Sequence, residues 1–416
     1  MTTVSAIRTS SATTSAVTPG SAALGELVER IRREAGAAKR TGRSLHGVID
    51  VVREARFGAF RVPLDEGGGG ASLREFFAAI IDLAHADPDV PHILRAHYWF
   101  VEERLRSANG PERARWLDLI VRGDIFGNAM SELGGPAAVG SWQFATTIVP
   151  DGDGYRLNGQ KYYCTGSLYS DWVNVFGVLP DGALASAVVP VRREGVTFDD
   201  DWDGIGQKLT GSGSGRFHNV HVAKDELLRS AVDTEEAAQQ AQSADPYLIG
   251  QFCQLILTAI IAGILRSVVD DAVRLLRGRA RTYTHAAGAT PATDPLLQAV
   301  VGELSAAAFA AEAAVLAAAQ AQDDAVNAQP DVALELAHRG SLRAAQAKVF
   351  VDELAQRAST RLFDVGGSSS VRSALDLDRH WRNVRTLASH NPTAYKARAI
   401  GEHLVSGAWL PNSGFF

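Results

Sequence analysis

Glycine and hydroxyl residues precede a group of positive charges near the end of this chain. Gly366 and Gly367 are followed by serines from Ser368 to Ser370. Three arginines come next at intervals of three residues, at Arg379, Arg382 and Arg385. Backbone N–H groups beside glycines can approach an anion closely, and residues three apart share one helical face. The stretch therefore indicates a phosphate site, and the alternative is a helix C-terminal glycine followed by a charged, solvated face.

Composition limits the partners that this phosphate site could serve. The 416 residues are 46% hydrophobic and 21% charged, which is typical of a globular protein of two or three domains. The net charge of −6 provides no basic surface for a nucleic acid. Cys164 and Cys253 are far apart and lack metal-ligand spacing, so we expect neither disulfides nor a metal site. A reducing compartment, the cytoplasm, is expected.

Two segments raise the question of export or a membrane. Residues 1–20 are rich in Ser and Thr and lack the apolar core of a secretory signal, so we expect a disordered tail. Residues 247–265 are almost long enough to span a bilayer, but Gln251, Gln254 and Thr258 interrupt them. We expect a buried core helix and no membrane contact.

Three regions of different periodicity must position the candidate residues. Residues 21–125 have helical spacing and predict an N-terminal helical domain. Residues 126–230 contain short β-branched runs separated by turns such as DGDG at 151–154, and they predict an antiparallel sheet or barrel. Residues 240–416 are again helical and predict a four-helix bundle.

This α–β–α order resembles the acyl-CoA dehydrogenase superfamily, and the resemblance covers nearly the whole chain after residue 20. The shared landmarks, in chain order, are Val62-Pro63 with glycines 67–70, Met130-Ser131-Glu132, residues 157–161 with 164–166, Arg281, Gln298 and the glycine pair. The resemblance implies an α+β fold of the acyl-CoA dehydrogenase type, with a helical domain, a middle antiparallel β-barrel or sheet and a C-terminal helix bundle.

The chain departs from a dehydrogenase at the catalytic base. Many members of the superfamily carry a glutamate in a Glu-Gly-Thr sequence, where residues 389–392 here read Ser-His-Asn-Pro. Other members place the base on the first helix of the bundle, yet residues 247–269 contain no Asp or Glu. Desaturation of an acyl thioester therefore lacks its expected proton acceptor. An FAD-dependent acyl-CoA dehydrogenase with a displaced base, and a flavin-free acyl-binding homologue, are the alternatives.

The cofactor signals also differ from those of a dehydrogenase. Phe363 replaces a glutamine that helps to hold the adenine half of FAD, and Thr282-Tyr283 replaces a Phe-Gly pair. FMN is therefore expected, with FAD as the alternative. Residues 127–132, 378–386 and 389–396 resemble the two-component flavin monooxygenases of the dibenzothiophene monooxygenase, sulfur-acquisition and N-hydroxylase type.

That branch implies a specific activity. A separate flavin reductase supplies reduced FMN (FMNH₂), O₂ is the co-substrate, and a C4a-hydroperoxyflavin oxygenates sulfur or nitrogen in an apolar small molecule. The resemblance places Asn128, Thr165 and His390 around the flavin as catalytic neutral donors. His390 could also deliver a proton, because imidazole ordinarily titrates near neutrality. The alternatives are a turn residue for Asn128, an ordinary strand hydroxyl for Thr165 and a helix-cap or interface histidine for His390.

The resemblance assigns further residues to binding. The cofactor-binding set is Ser131, Thr165, Arg281, Gly366, Gly367 and Ser368. Because Arg281 reaches the flavin phosphate of a neighbouring subunit in the resembling fold, we expect a homotetramer, or at least a dimer. His97 and Trp202 are candidates for the substrate pocket, and for both the alternative is a core residue.

Overall fold

The computed structural model describes residues 16–133, 143–229, 243–412 and 416. The first region contains six α-helices: α1 Ala22–Arg40, α2 His46–Glu54, α3 Leu73–Ala86, α4 Asp89–Ile93, α5 Arg95–Arg106 and α6 Pro111–Arg122. Local sequence explains where α3 begins. The Ser72 hydroxyl accepts a hydrogen bond from the backbone N–H of Glu75, and the Glu75 carboxylate accepts one from that of Ser72. This capping box satisfies two backbone donors that the first turn leaves free.

The predicted disordered tail, residues 1–20, falls mostly outside the described residues. Within its last five residues, Ala16 and Val17 are buried, and the Val17 backbone N–H donates to the Ala55 carbonyl at 3.2 Å. The expectation of disorder therefore does not hold for Ala16 and Val17, because these two small apolar side chains pack into the core.

The middle region forms one sheet of eight strands: β1 Phe126–Ala129, β2 Thr147–Asp151, β3 Gly154–Lys161, β4 Trp172–Val178, β5 Leu184–Pro190, β6 Val196–Phe198, β7 Gly215–Val222 and β8 Leu227–Arg229. The order is β6-β7-β3-β2-β4-β5-β8, and β1 pairs with β4. Asp151 pairs with Gly154 across the predicted DGDG hairpin, which is confirmed. The sheet is mixed, not purely antiparallel, because β1 and β2 both run parallel to β4. Long connections allow this return in the same direction.

The C-terminal region contains five helices, three long and two short: α7 Asp245–Gly278, α8 Pro295–Val326, α9 Pro330–Gly366, α10 Arg379–Ala388 and α11 Thr393–Ser406. These five helices are those within residues 243–412, and the four-helix bundle stays a prediction. The division into domains at 20, 125 and 230 stays a prediction, although α6 ends and β1 begins close to the second boundary.

Helices α7 and α8 are both long and apolar enough to cross a membrane. In α7, 94% of the most apolar window is buried inside the protein, which confirms the expected core helix; in α8 only 28% is buried. Helix α7 packs against α3, where a Cβ added to Gly263 would lie 2.5 Å from the Ala84 Cβ, and the Phe252 ring stacks on Phe76 at 5.3 Å. The two helices approach closely at this glycine, and they form the centre of the core.

Candidate functional site

A cavity of about 740 Å³ lies where the helices of both outer regions meet the sheet. Six segments of the chain form its wall: His92, Arg95, Ala96, Trp99, Asn128, Met130, Ser131, Tyr163, Thr165, Trp202, Gly204, Ile205, Ser212, Ile249, Gly250, Cys253, Leu257, Arg385, Thr386, Leu387, Ser389 and His390. A cavity of this size, with an apolar wall and a few converging polar groups, suits a ligand and an organic cofactor.

Five residues singled out from the sequence meet in this cavity. They come from positions far apart in the chain: Asn128, Ser131, Thr165, Trp202 and His390. Asn128 lies on β1, and His390 follows α10 directly. The fold therefore brings together the groups that the resemblance places around a flavin.

His97 does not line the cavity, and the structure supports the core interpretation instead. Its Nε2 donates to the Gly58 carbonyl at 2.9 Å, and its Nδ1 accepts from the backbone N–H of Phe126 at 3.2 Å. One neutral tautomer satisfies both bonds. Burial lowers the pKa of His97 to about 4, so this neutral form persists. His97 thus ties α5 to the first residue of β1.

The glycine turn and Arg281 also lie outside the cavity wall. Gly366 ends α9, and Gly367 has a φ of +59°, a left-handed conformation that favours glycine. A Cβ at Gly367 would lie 2.7 Å from the Tyr283 hydroxyl oxygen. Arg281 is exposed, two residues before that tyrosine. The glycine turn and the loop that carries Arg281 therefore adjoin one another, outside the cavity wall.

Two of the three C-terminal arginines are occupied by carboxylates. An Arg379 terminal nitrogen lies 2.6 Å from Asp271, and an Arg382 terminal nitrogen lies 2.5 Å from Asp376. Only Arg385 lines the cavity. The alternative of a charged helical face is therefore the better description of Arg379 and Arg382.

His390 presents its imidazole to the cavity. Its side chain makes no hydrogen bond within the part of the chain that the structure describes, so both ring nitrogens are available to a ligand. Enclosure by the protein, with the positive charge of Arg95 adding to it, holds the pKa of His390 well below its ordinary value. The lowered pKa favours a neutral ring at pH 7, which donates as an imidazole, and proton delivery by His390 stays a prediction.

His92, which sequence reasoning missed, is a second imidazole in the wall. Its Nδ1 lies 3.0 Å from the Gln207 side-chain oxygen and donates to it, which leaves Nε2 as an acceptor. Burial lowers the pKa of His92 to about 4, and Arg95 contributes. No helical spacing signals His92, because it lies on α4 whereas Ala96 and Trp99 lie on α5.

A chain of hydroxyls supports Thr165. Its Oγ1 lies 2.8 Å from the Ser212 Oγ, which in turn lies 2.7 Å from the Thr210 Oγ1. Thr210 donates to the Gln207 carbonyl at 2.9 Å, and the Trp202 indole N–H donates to the same oxygen at 2.9 Å. These bonds fix the loop that carries Trp202 against the cavity.

The side-chain oxygen of Asn128 is an unmet acceptor. It is buried without a hydrogen-bond partner within residues 16–133, 143–229 and 243–412, although the Asn128 carbonyl accepts from the Ser167 hydroxyl at 3.2 Å. A buried acceptor left alone costs free energy. An N–H group of a ligand in the cavity would satisfy it.

A buried ion pair holds the segment after β1 in place. Lys161 donates to the Glu132 carboxylate at 2.7 Å and to the Met130 carbonyl at 3.1 Å. Glu132 also accepts from the Thr146 backbone N–H and hydroxyl, at 3.0 and 2.6 Å. Met130 and Ser131 are thereby fixed at the cavity wall.

The cavity wall contains no Asp or Glu among the described residues. No group of three metal-ligating side chains occurs in those residues either. The wall therefore offers imidazole, amide, hydroxyl and guanidinium groups, and it lacks the carboxylate base that desaturation of an acyl thioester requires.

Comparison with known proteins agrees with this geometry. Residues 255–395 match the family described as acyl-CoA dehydrogenase, C-terminal domain. The chain is similar to dibenzothiophene monooxygenase of Rhodococcus qingshengii, with 32% identity over 397 residues that cover 94% of this chain and 93% of that protein. It is also similar to the probable FMNH₂-dependent monooxygenase SfnC of Pseudomonas putida, with 28% identity over 85% of this chain and 86% of that protein.

A solved structure shares the whole architecture. TdsC from Paenibacillus sp. A11-2, crystallised with FMN and indole, matches with a TM-score of 0.85 and 28% identity. The match covers 95% of this chain and 98% of that chain. The acyl-CoA dehydrogenase-like fold expected from the sequence is confirmed.

Proposed function

The chain belongs to the dibenzothiophene monooxygenase family of flavin-dependent enzymes with the acyl-CoA dehydrogenase fold, and from that membership we propose that it is an FMNH₂-dependent monooxygenase. Its substrate is a small organic molecule oxygenated at sulfur or nitrogen. Sulfur is favoured, since the dibenzothiophene monooxygenases and SfnC are similar over most of their length.

The observation that carries this proposal is the chemistry of the cavity wall. Asn128, Thr165, His92 and His390 present an amide, a hydroxyl and two neutral imidazoles, and the described wall holds no carboxylate. Neutral donors suit oxygen transfer from a flavin, whereas an acyl-CoA dehydrogenase needs a base.

The residues present fit a flavin ring. The unmet Asn128 acceptor requires an N–H partner, and Ser131 and Thr165 add hydroxyls in the same wall. When bound, reduced FMN supplies two electrons to O₂, so that one oxygen atom goes to the substrate and the other becomes water. TdsC has been crystallised with FMN, which supports FMN over FAD.

The protein groups have separate tasks. Asn128 orients the cofactor through its side-chain oxygen. His390 donates a hydrogen bond as a neutral imidazole, whereas Thr165, whose proton goes to Ser212, accepts one on its hydroxyl oxygen. Apolar residues such as Trp99 and Leu257 exclude water from the reacting atoms.

The flavin phosphate is held between subunits. Arg281, Gly366, Gly367 and Ser368 lie outside the cavity of their own chain, and Arg281 is exposed. A partner's flavin is the ligand that this arrangement fits. Helix α8 supports an assembly, because its most apolar window is only 28% buried and Phe309 is 75% exposed. A homotetramer covers these surfaces.

A separate flavin reductase supplies FMNH₂ by transient encounter, which requires a cytoplasmic location. The two described cysteines are buried and free, in keeping with a reducing compartment.

Oxygen labelling tests the proposed function. The protein is mixed with a flavin reductase, NADH, FMN and ¹⁸O₂, together with sulfides, sulfinates, sulfones and amines. We expect one ¹⁸O atom in the product of one sulfur or nitrogen compound. A panel without any labelled product, combined with desaturation of an acyl-CoA, would favour the dehydrogenase alternative.

A further inference from the structure

Two arginines line the cavity without a counter-charge among the described residues, Arg95 and Arg385, and Arg95 is the less exposed of them. Arg95 begins α5, and its Nε donates to the Cys253 carbonyl on α7 at 3.0 Å. Its side chain lines the cavity beside His92. The two terminal nitrogens make no hydrogen bond or ion pair with any residue that the structure describes.

Three other part-buried arginines of this protein each form an ion pair with a carboxylate. Arg61 lies 2.6 Å from Glu102, Arg53 lies 2.9 Å from Asp171, and Arg266 lies 2.6 Å from Glu312. Burying a guanidinium without a partner is costly, and arginine does not escape this cost by losing its proton. Arg95 therefore differs from these three arginines, because its terminal nitrogens face the cavity without a carboxylate partner.

The positive charge of Arg95 is not compensated by its surroundings in the cavity. Burial lowers the Arg95 pKa, and no carboxylate of the described wall offsets its charge. The two imidazoles at His92 and His390 are neutral, and the charge of Arg95 helps to keep them so. An anion is the group that this part of the cavity lacks.

We propose that Arg95 binds an anionic oxygen group of the substrate, a carboxylate, sulfinate or sulfonate, through its two free terminal nitrogens. The apolar part of the same substrate packs against Ala96, Trp99 and Leu257. This assignment rests on the proposed function. It identifies the substrate as an organic anion with an apolar portion, not as an uncharged heterocycle.

A matched pair of probes tests the assignment without turnover. Benzenesulfonate and benzenesulfonamide have nearly the same shape, but only the sulfonate is anionic at pH 7. Titration calorimetry on the flavin-free protein is expected to show about 10- to 100-fold tighter binding of the sulfonate, in line with hydrogen bonds to charged groups. Added salt should reduce that preference.

Variants locate the preference. Arg95→Met should abolish it, and Arg95→Lys should retain part of it. Arg104→Met is the control, because Arg104 lies on the same helix outside the cavity wall, and it should keep the full preference. If Arg95→Met fails to fold, Arg95→Lys and Arg95→Gln give the same comparison.

Three results would overturn the assignment: equal binding of the two probes to the parent protein, a preference that survives in Arg95→Met, or a selective loss of FMN over riboflavin in that variant. The last result would assign Arg95 to the flavin phosphate. The probes bind in the absence of flavin, so the two proposals can fail separately. A protein that keeps the Arg95-dependent preference but oxygenates no substrate would contradict the proposed function and leave the Arg95 assignment intact.

Discussion

Two neutral imidazoles, His92 and His390, share one cavity with the guanidinium groups of Arg95 and Arg385, and their protonation defines the chemistry at the residue scale. Burial lowers the pKa of His92, and desolvation lowers that of the more exposed His390; the charge of Arg95 adds to both effects. A neutral imidazole has one N–H donor and one nitrogen acceptor. It can therefore donate a hydrogen bond to the oxygen that is being transferred and keep its proton. In His97, five residues from His92, both ring nitrogens form hydrogen bonds with the backbone.

Removing the His390 ring should separate oxygen consumption from product formation. In His390→Ala we expect folding and flavin affinity to persist, while hydrogen peroxide replaces most of the oxygenated product. The reason is the lost donor, since removing one such donor typically costs about 10²–10³ in rate. Oxygen uptake and peroxide yield measure this uncoupling. His218→Ala, which removes an exposed imidazole from β7, is the control. Unchanged product yield in His390→Ala would make His390 structural.

The protein should lose stability in mild acid because of His92. Its pKa falls from an ordinary 6.5 to about 4 on folding, so the unfolded chain binds the proton more tightly. The contribution is complete above pH 6.5 and is lost as the pH falls toward 4, by up to about 3 kcal/mol. Urea unfolding at a series of pH values measures this slope. His92→Gln should reduce it by up to about 1.4 kcal/mol per pH unit, and an identical slope would refute the depressed pKa.

At the scale of elements, strand ends and short helices hold these residues in register. Glu132 follows β1 and accepts from Lys161, at the end of β3, and from Thr146, just before β2. Burial alone would raise the Glu132 pKa, but the bonds from Lys161 and Thr146 lower it, so the pair remains ionised. The cavity wall at Met130 and Ser131 depends on this ion pair.

Breaking the ion pair should be far more costly than breaking an exposed one. Lys161→Met leaves the Glu132 charge buried, and we expect a loss of about 3–5 kcal/mol in the free energy of unfolding. Arg216→Met removes a surface pair with Asp199 and should cost less than about 1 kcal/mol. Denaturant unfolding compares the two variants. Similar losses would show that the Lys161 pair does not support the strand end.

The sequence predicted those site residues that lie in short local motifs. Asn128, Thr165 and His390 each lie in a short pattern resembling the family, and the fold places all three in one cavity. It did not identify His92 and Arg95, because their role depends on which face of two short helices meets α7. The parallel pairing of β1 with β4 was missed for a related reason, since turn residues report only neighbouring strands.

At the scale of the whole molecule, one chain forms the cavity, and the residues proposed to bind the flavin phosphate lie outside its wall. The glycine turn at Gly367 packs against Tyr283, close in sequence to the exposed Arg281. Helix α8 exposes apolar side chains that another copy would cover. We therefore expect cofactor affinity and assembly to be linked, as the proposed completion of each site by a neighbouring subunit requires.

Arg281→Ala should weaken FMN binding by about 1.5–3 kcal/mol and leave riboflavin binding almost unchanged, because only the phosphate contact is lost. Equilibrium binding of both flavins, with sedimentation in parallel, measures the effect and checks that assembly persists. Arg277→Ala, on the last turn of α7, is the control. Equal losses for the two flavins would place Arg281 away from the phosphate.

The most direct test of the central claim compares two reactions of the flavin-loaded protein. The protein is loaded with FMN or FAD, and the flavin spectrum is followed first with butyryl-CoA under argon and then, after chemical reduction, with O₂. We expect that butyryl-CoA does not bleach the flavin and that reduced FMN binds at least about tenfold more tightly than reduced FAD. We also expect O₂ to reoxidise the reduced flavin rapidly. Tight binding of FAD that bleaches with butyryl-CoA in the absence of oxygen would contradict it and identify a dehydrogenase.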